Sequence, residues 1–370
     1  MKTNAAIAWK VGEPWSVEEV ELDPPKGGEV LVRMAAAGLC HSDDHITTGD
    51  MPVRLPMVGG HEGAGIVEEV GPNVTSVKPG DHVVTMFIPA CGHCRWCATG
   101  RSNLCDLGAS LMRGLGADGT ARMHARGQDL VTMCFLGTFS QYAVLHEASV
   151  IAIADDLPLE VAALVACGVP TGYGSAVRTA KVQPGENVVV VGAGGVGMNA
   201  IQGARIAGAE RIIAVDPVEL KRHQAKVFGA THTAASMTEA VDLVRELTWG
   251  VMADAAILTV GVPRGNQIAQ LLGLVSKGGR AVVTSVAPFV DTDVTMSLFD
   301  LTIYQKELRG TLFGASNGRA DIPALFSLYR SGQLKLDELI TSRYALEDIN
   351  DGYRDMHDGT NIRGVIVHQH

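Results

Sequence analysis

At 370 residues the chain is long enough for about two domains. An apolar share of 46% against 19% charged residues excludes a disordered chain, and a net charge of −10 argues against a nucleic-acid or anionic-membrane partner, whose phosphates attract basic surfaces. No uninterrupted apolar run of about 20 residues marks a membrane span. The opening stretch lacks a secretory signal, so seven cysteines are expected as thiols in a cytoplasmic protein, not as a disulfide framework.

Up to about residue 165 the text reads as short strands with turn punctuation. EVLVRMAAAG, AGIVEEVG, DHVVTMFIP and SQYAVL have strand character, while Gly71–Asn73 and Val77–Asp81 read as turns. Near Pro170 the pattern changes. NVVVVG is a continuous apolar run suited to a fully buried parallel strand, and the helical stretch VGMNAIQGARIAGA follows it. RIIAVD, ELKRHQAKVFGA, ADAAILTVG and GRAVVTSV continue the strand–helix alternation of a doubly wound parallel sheet. A helix near IPALFSLYRSG and a last strand, IRGVIVHQ, close the chain.

Gly192, Gly194 and Gly197 form G-x-G-x-x-G between the first buried strand and its helix, and Asp216 ends the next strand. Gly192 permits the tight turn, Gly194 lets backbone approach a pyrophosphate, and Gly197 lets the helix pack on the strand. The helix N-terminus offers free N–H groups to phosphate. Asp216 accepts from ribose hydroxyls and repels a 2′-phosphate, so NAD(H) is expected over NADP(H).

Cys91, Cys94, Cys97 and Cys105 are spaced C-x2-C-x2-C-x7-C. Four thiolates around one point suit a structural Zn2+ with no open coordination position; an iron–sulfur cluster or a zinc-ribbon nucleic-acid module uses the same donors, and the acidic charge disfavours the latter. Cys40 in GLCHSDDH, His61 with Glu62 in GGHEGAG, and Cys167 in ACGVPTGYG supply two thiolates and an imidazole, the Cys2His set of a catalytic zinc with one open position. Spacing does not single these three out, and ordinary buried side chains are the plain alternative. Cys134 has no evident partner and is expected as a buried thiol.

GHEGAGIVEEVG, the four-cysteine loop, GLCHSD, ACGVPTGYG and GAGGVG resemble, over essentially the whole chain, the zinc-containing medium-chain alcohol dehydrogenases. The resemblance implies an α/β fold: a GroES-like β-rich catalytic domain, residues 1–168 and 313–370 with the structural-zinc loop 91–105, and a Rossmann coenzyme domain, residues 169–312. The active site is expected between the two. By the same resemblance two Zn2+ bind per subunit, one structural at Cys91, Cys94, Cys97 and Cys105, and one catalytic at Cys40, His61 and Cys167. Glu62 lies behind the catalytic metal as a transient ligand, and Asp43 orients His61. Ser42 hydrogen-bonds the alcohol and His45 passes the proton to solvent, although solvated surface histidines are the plain reading of His41 and His45. Thr171 and Val196 contact nicotinamide, and Gly192, Gly194, Gly195 and Gly197 cradle the phosphates. Asp216 and Lys221 hold the adenosine ribose, His41 and Arg363 meet the pyrophosphate, and Phe87 and Phe139 line the substrate pocket.

Glutathione-dependent formaldehyde dehydrogenases carry an arginine four residues after the last structural cysteine; Ala109 stands there, which disfavours S-hydroxymethylglutathione as substrate. GEPWSVEEVELDPPK, HARGQDL and PACGHCRWCATGRSNLCDLGA are similar to the actinobacterial nicotinoprotein alcohol dehydrogenases. That similarity implies a primary aliphatic or aromatic alcohol, or its aldehyde, as small-molecule partner. It also implies NAD(H) that stays bound, a redox carrier such as mycofactocin that reoxidises it, and a homodimer or homotetramer. An ordinary NAD-exchanging dehydrogenase or aldehyde reductase is the nearest rival. A non-catalytic nucleotide-binding protein of the same fold is disfavoured, because none of the catalytic residues is missing.

Overall fold

The computed structural model describes residues 1–370. β1 (Lys2–Ala8) and β2 (Ser16–Leu22) pair antiparallel. Val20 and Leu22 of β2 face inward while Glu19 and Glu21 face water, the period-2 pattern of a strand with one wet face. β3 (Glu29–Gly38) is the longest strand of its sheet and is buried along most of its length. It runs into α1 (His41–Thr48) by way of Cys40. β4 (Met57–Val58), β5 (Gly63–Val70), β6 (His82–Thr85), β7 (Met123–Ala125), β8 (Gln128–Thr132), β9 (Tyr142–His146) and β10 (Val150–Ile153) follow. β1, β2, β7, β8 and β4 close a small barrel, and β10-β6-β5-β3 form a second sheet to which β9 adds by pairing with β3.

The chain then builds a separate unit, Gly168–Ser316 with Leu328–Lys335. β11 (Asn187–Val191), α2 (Gly195–Ile206), β12 (Arg211–Val215), α3 (Glu219–Phe228), β13 (His232–Ala234), β14 (Ala253–Leu258), β15 (Val275–Val283) and β16 (Glu307–Gly310) give a six-stranded sheet of order β13-β12-β11-β14-β15-β16. Every pairing in it is parallel. NVVVV and RIIAV are buried after their first residue, as strands covered on both faces must be. Their core joins Val189, Val191, Ile213, Val215 and Leu258.

β17 (Ile340–Tyr344), α4 (Ile349–His357) and β18 (Arg363–Val367) return to the first unit, Met1–Cys167 with Asn317–Ser327 and Leu336–His370. β18 pairs antiparallel with the end of β3, so Arg363 and Gly38, distant in sequence, end up at one place. Strand DHVVTMFIP is shorter than its text suggests, ending at Thr85, and GRAVVTSV begins earlier, at Val275. No helix is long and apolar enough to cross a membrane.

Candidate metal centres and nucleotide cradle

The four-cysteine loop carries almost no apolar core of its own; a short helical turn, Arg95–Ala98, has no buried residue. Its sulfurs nevertheless converge. Cys91 Sγ lies 4.0 Å from Cys97 Sγ, Cys94 Sγ lies 3.9 Å from Cys105 Sγ, and all four fall within 4.8 Å of one another. A tetrahedral ion with thiolates at about 2.3 Å sets sulfur–sulfur edges of about 3.8 Å, so the donor set fits zinc. Backbone N–H groups of Cys91, Cys94 and Cys97 point at the sulfurs of Cys105, Cys91 and Cys94, at 3.4, 3.4 and 3.5 Å. Such bonds favour thiolate: the N–H of Cys97, helped by that of Asp106, draws the Cys94 thiol down to about 6.

The second donor set comes from three separate places in the first unit. Cys40 caps α1, His61 and Glu62 precede β5, and Cys167 follows the helix Leu159–Leu164. One ligand atom from each of Cys40, His61, Glu62 and Cys167 lies within 4.8 Å of the others. All four are in the interior, with His61 1% and Glu62 0% exposed. His61 Nδ1 stands 2.9 Å from Asp43 Oδ2, and the other oxygen of Asp43 accepts from the Gly60 N–H at 2.8 Å. The Nδ1–Asp43 approach is a charge contact without hydrogen-bond geometry, and Nε2 is likewise buried with no hydrogen-bond partner. An orphaned imidazole nitrogen beside two thiols is costly unless a cation takes its lone pair, so these residues fit a metal.

The charges of the pocket reinforce one another. The Cys167 thiol donates toward Cys40, and with His61 nearby this holds Cys40 well below the usual thiol range. Burial would lower His61, but Asp43, Cys167 and Cys40 together raise it well above its ordinary value. Burial pushes the Glu62 carboxyl up to about 7 despite the Arg363 guanidinium bonded to it. Asp43 is likewise raised by burial.

Around this centre, Ser42 Oγ lies 3.7 Å from Cys40 Sγ. His45, on the same helix, is buried rather than solvated, and His41 opens that helix half-buried. The Phe87 ring meets His61 edge-on with centroids 5.6 Å apart. Phe139 is fully buried, packed edge-on against Trp15 and Tyr353, a core position of the barrel. Cys134 is buried too, and burial pushes its thiol up to about 12, as expected of an inert thiol.

In the second unit the glycine turn has the geometry that its spacing predicts. Gly192 has φ of +95°, and a Cβ there would meet Thr259 backbone at 2.8 Å. Gly197 is pressed onto Gly192, whereas Gly194, the residue capping α2, has open space where a side chain would stand. Gly195 and Val196 form the first turn of α2, and Gly172, next to Thr171, packs on the Val196 backbone. Asp216 is buried; its carboxylate accepts from the N–H of Ala193, inside the glycine turn, at 2.8 Å and of Val218 at 2.9 Å. Lys221 lies half-buried in the first turn of α3. Its neighbour Arg222, which sequence reasoning passed over, donates to the carbonyls of Asp216 and Pro217, both at 2.8 Å.

Residues 26–155 match the alcohol dehydrogenase GroES-like domain, and residues 195–331 match the zinc-binding dehydrogenase family. The chain is 53% identical to the NDMA-dependent alcohol dehydrogenase of Amycolatopsis methanolica, over 100% of its own length and 99% of that protein's. Among solved structures, an alcohol dehydrogenase zinc-binding domain protein from Burkholderia ambifaria superposes with a TM-score of 0.93 at 36% identity, and the benzyl alcohol dehydrogenase of Acinetobacter calcoaceticus with 0.92 at 31%. Both matches cover the whole of each chain.

Proposed function

The chain belongs to the zinc-containing medium-chain alcohol dehydrogenases, and from that premise we propose that it oxidises a primary alcohol, aliphatic or aromatic, using an NAD(H) that stays bound. The observation that carries the reading is the buried Cys40–His61–Cys167 donor set with an orphaned His61 nitrogen. When bound, zinc supplies a Lewis acid for the alcohol oxygen and NAD supplies the hydride acceptor. The rest falls to the protein. Asp43 sets a carboxylate against Nδ1 of His61, which leaves Nε2 to face the metal. Ser42 stands beside Cys40 to hydrogen-bond the alcohol and take its proton toward His45. Glu62 is the spare donor at the metal, and Phe87 gives the site an apolar wall. The second unit holds the nucleotide: the open space at Gly194 admits the pyrophosphate, and Asp216 faces the ribose without tolerance for a 2′-phosphate. Four further cysteines would hold a structural zinc, which would order residues 91–105.

Retention of the nucleotide, and a redox carrier that regenerates it, is supported by the 53% identity to an NDMA-dependent enzyme. An aromatic alcohol is supported by the likeness to a benzyl alcohol dehydrogenase. Ala109 argues against a glutathione adduct. A homodimer or homotetramer is supported by the exposed apolar side chains Phe289, Val290, Leu298, Phe299 and Ile303, which precede the edge strand β16 in the chain. Seven cysteines without a disulfide suit the cytoplasm. The test is to supply a primary alcohol once with NAD+ alone and once with a nitrosoaniline acceptor and no added NAD+. Turnover with the dye alone is expected; steady formation of free NADH, with a dye that does nothing unless NAD+ is added, makes the enzyme an ordinary exchanging dehydrogenase.

A further inference from the structure

A histidine that hands protons to solvent needs a route to it, and His45 is only 2% exposed. Its surroundings supply one. α1 ends at Thr48, and Gly49 follows in the left-handed region with φ of +82°. The N–H groups of Gly49 and Met51 both turn back onto the His45 carbonyl, at 3.2 and 3.4 Å. This reversal swings Asp50 under the helix it has just left. Asp50 Oδ2 lies 3.1 Å from His45 Nδ1 and accepts from the Thr48 hydroxyl at 2.9 Å. The Asp50 side chain is 28% exposed. A buried imidazole is thus joined on one side to a carboxylate that reaches water, and Nδ1 is the only ring nitrogen of His45 with a hydrogen-bond partner. Ser42 and His45, three positions apart on α1, share the other side of the relay on one helix face.

We infer that Asp50 is the outer member of the proton path: it holds His45 with its proton on Nδ1 and carries that proton to water. The inference rests on the proposed alcohol oxidation. A carboxylate on Nδ1 leaves Nε2 as the basic nitrogen. When a proton from the alcohol hydroxyl reaches Nε2, the ring releases its Nδ1 proton to Asp50 Oδ2, and Asp50 gives it to a water molecule. One proton leaves the substrate and one arrives in solvent, with Asp50 and His45 unchanged after the ring turns over its tautomer.

Two measurements decide it. The first is the 15N spectrum of the ring nitrogens in the purified holoenzyme, with His45 assigned by its loss in His45→Gln, well above the ordinary histidine range so that the ring is neutral. The proton is expected on Nδ1 in the parent and in Asp50→Asn, whose amide oxygen also accepts, and on Nε2 in Asp50→Ala. A parent ring protonated on Nε2 overturns the inference whether or not the enzyme oxidises alcohols. The second is proton release to an indicator dye in a single turnover. Asp50→Asn and Asp50→Ala are expected to slow it by about tenfold or more, with acetate restoring the rate in Asp50→Ala but not adding to the parent. Release at the parental rate in both variants overturns the exit role, as does slowing that acetate leaves untouched. If the parent oxidises no alcohol with either acceptor, the proposed activity is what fails, and the ring spectrum still decides the Asp50 bond.

Discussion

Glu62 and Arg363 are 301 positions apart and form a buried ion pair behind the candidate catalytic metal centre. Neither is more than 6% exposed in its side chain. Gly38 makes the space for them, because a Cβ there would collide with Glu62 Oε2 and stand 2.8 Å from Arg363 Nη2. Gly38→Ala is therefore expected to split the pair. Breaking a buried pair costs about 3–5 kcal/mol, so a drop of that order in urea denaturation should accompany loss of metal from the Cys40 site. Unchanged stability with full metal content would show that the pair simply shifts aside.

The two cysteine clusters should answer differently to loss of one thiol. Cys40 lies among ordered strands and a packed core, so Cys40→Ser is expected to abolish turnover and to remove about one zinc per chain with the fold retained. Cys97 lies in a loop whose helical turn buries nothing, and the metal is its core. Cys97→Ser is expected to lower the melting temperature by several degrees and to raise proteolysis within residues 91–105. Metal analysis beside circular dichroism checks both. A Cys97→Ser protein with parental stability and no activity would reverse the roles assigned to the clusters.

What could be read in advance followed from local rules. β11, the glycine turn and α2 are contiguous, and each glycine has its steric reason within a few residues, so sequence spacing captured them. The structural-zinc cysteines are equally local. The Cys40, His61 and Cys167 donors come from three elements brought together only by long-range strand pairing and helix packing, so residue types alone left them as ordinary buried side chains and family resemblance supplied the grouping. The Gly38, Glu62 and Arg363 arrangement depends on β18 docking on β3, a long-range event that leaves no periodic mark. His45 reads as a solvated residue on a polar turn, yet the Gly49 reversal and Asp50 enclose it; a glycine closing a short helix was the signal available. Phe139 carries no local mark to separate a pocket wall from the barrel core where it lies.

Gly194 and Gly197 have similar sequence signals and opposite surroundings. Gly197 touches the Gly192 backbone and would place a Cβ 2.9 Å from Thr259 Oγ1, whereas Gly194 meets nothing within 4 Å. Gly197→Ala is expected to cost about 1–3 kcal/mol through overpacking and to lose nucleotide as a consequence. Gly194→Ala is expected to leave the stability of the nucleotide-free protein within about 0.5 kcal/mol of the parent while lowering NAD content or affinity about tenfold or more. Nucleotide released by heat denaturation measures the content. Parental nucleotide retention in Gly194→Ala would mean that the pyrophosphate does not approach this backbone.

His368 follows the last strand and is 7% exposed; its Nε2–H donates to the Thr138 carbonyl at 3.0 Å while Nδ1 is buried without a partner. Burial holds it down to about 4, against 6.5 ordinarily. The neutral ring is thus the form that folds. Between about pH 6.5 and 4 the unfolded chain takes up a proton that the folded chain refuses, so this contribution to stability is complete above the unfolded value and is lost as pH falls toward the folded one. Its size is at most about 3 kcal/mol. Carboxylates and metal ligands also respond to acid, so the informative quantity is the difference between parent and His368→Gln, whose amide can keep the bond to Thr138. Urea midpoints taken at intervals from neutral pH down to about 4 should fall more steeply in the parent than in the variant. Parallel curves would mean that His368 is protonated in the fold as readily as outside it.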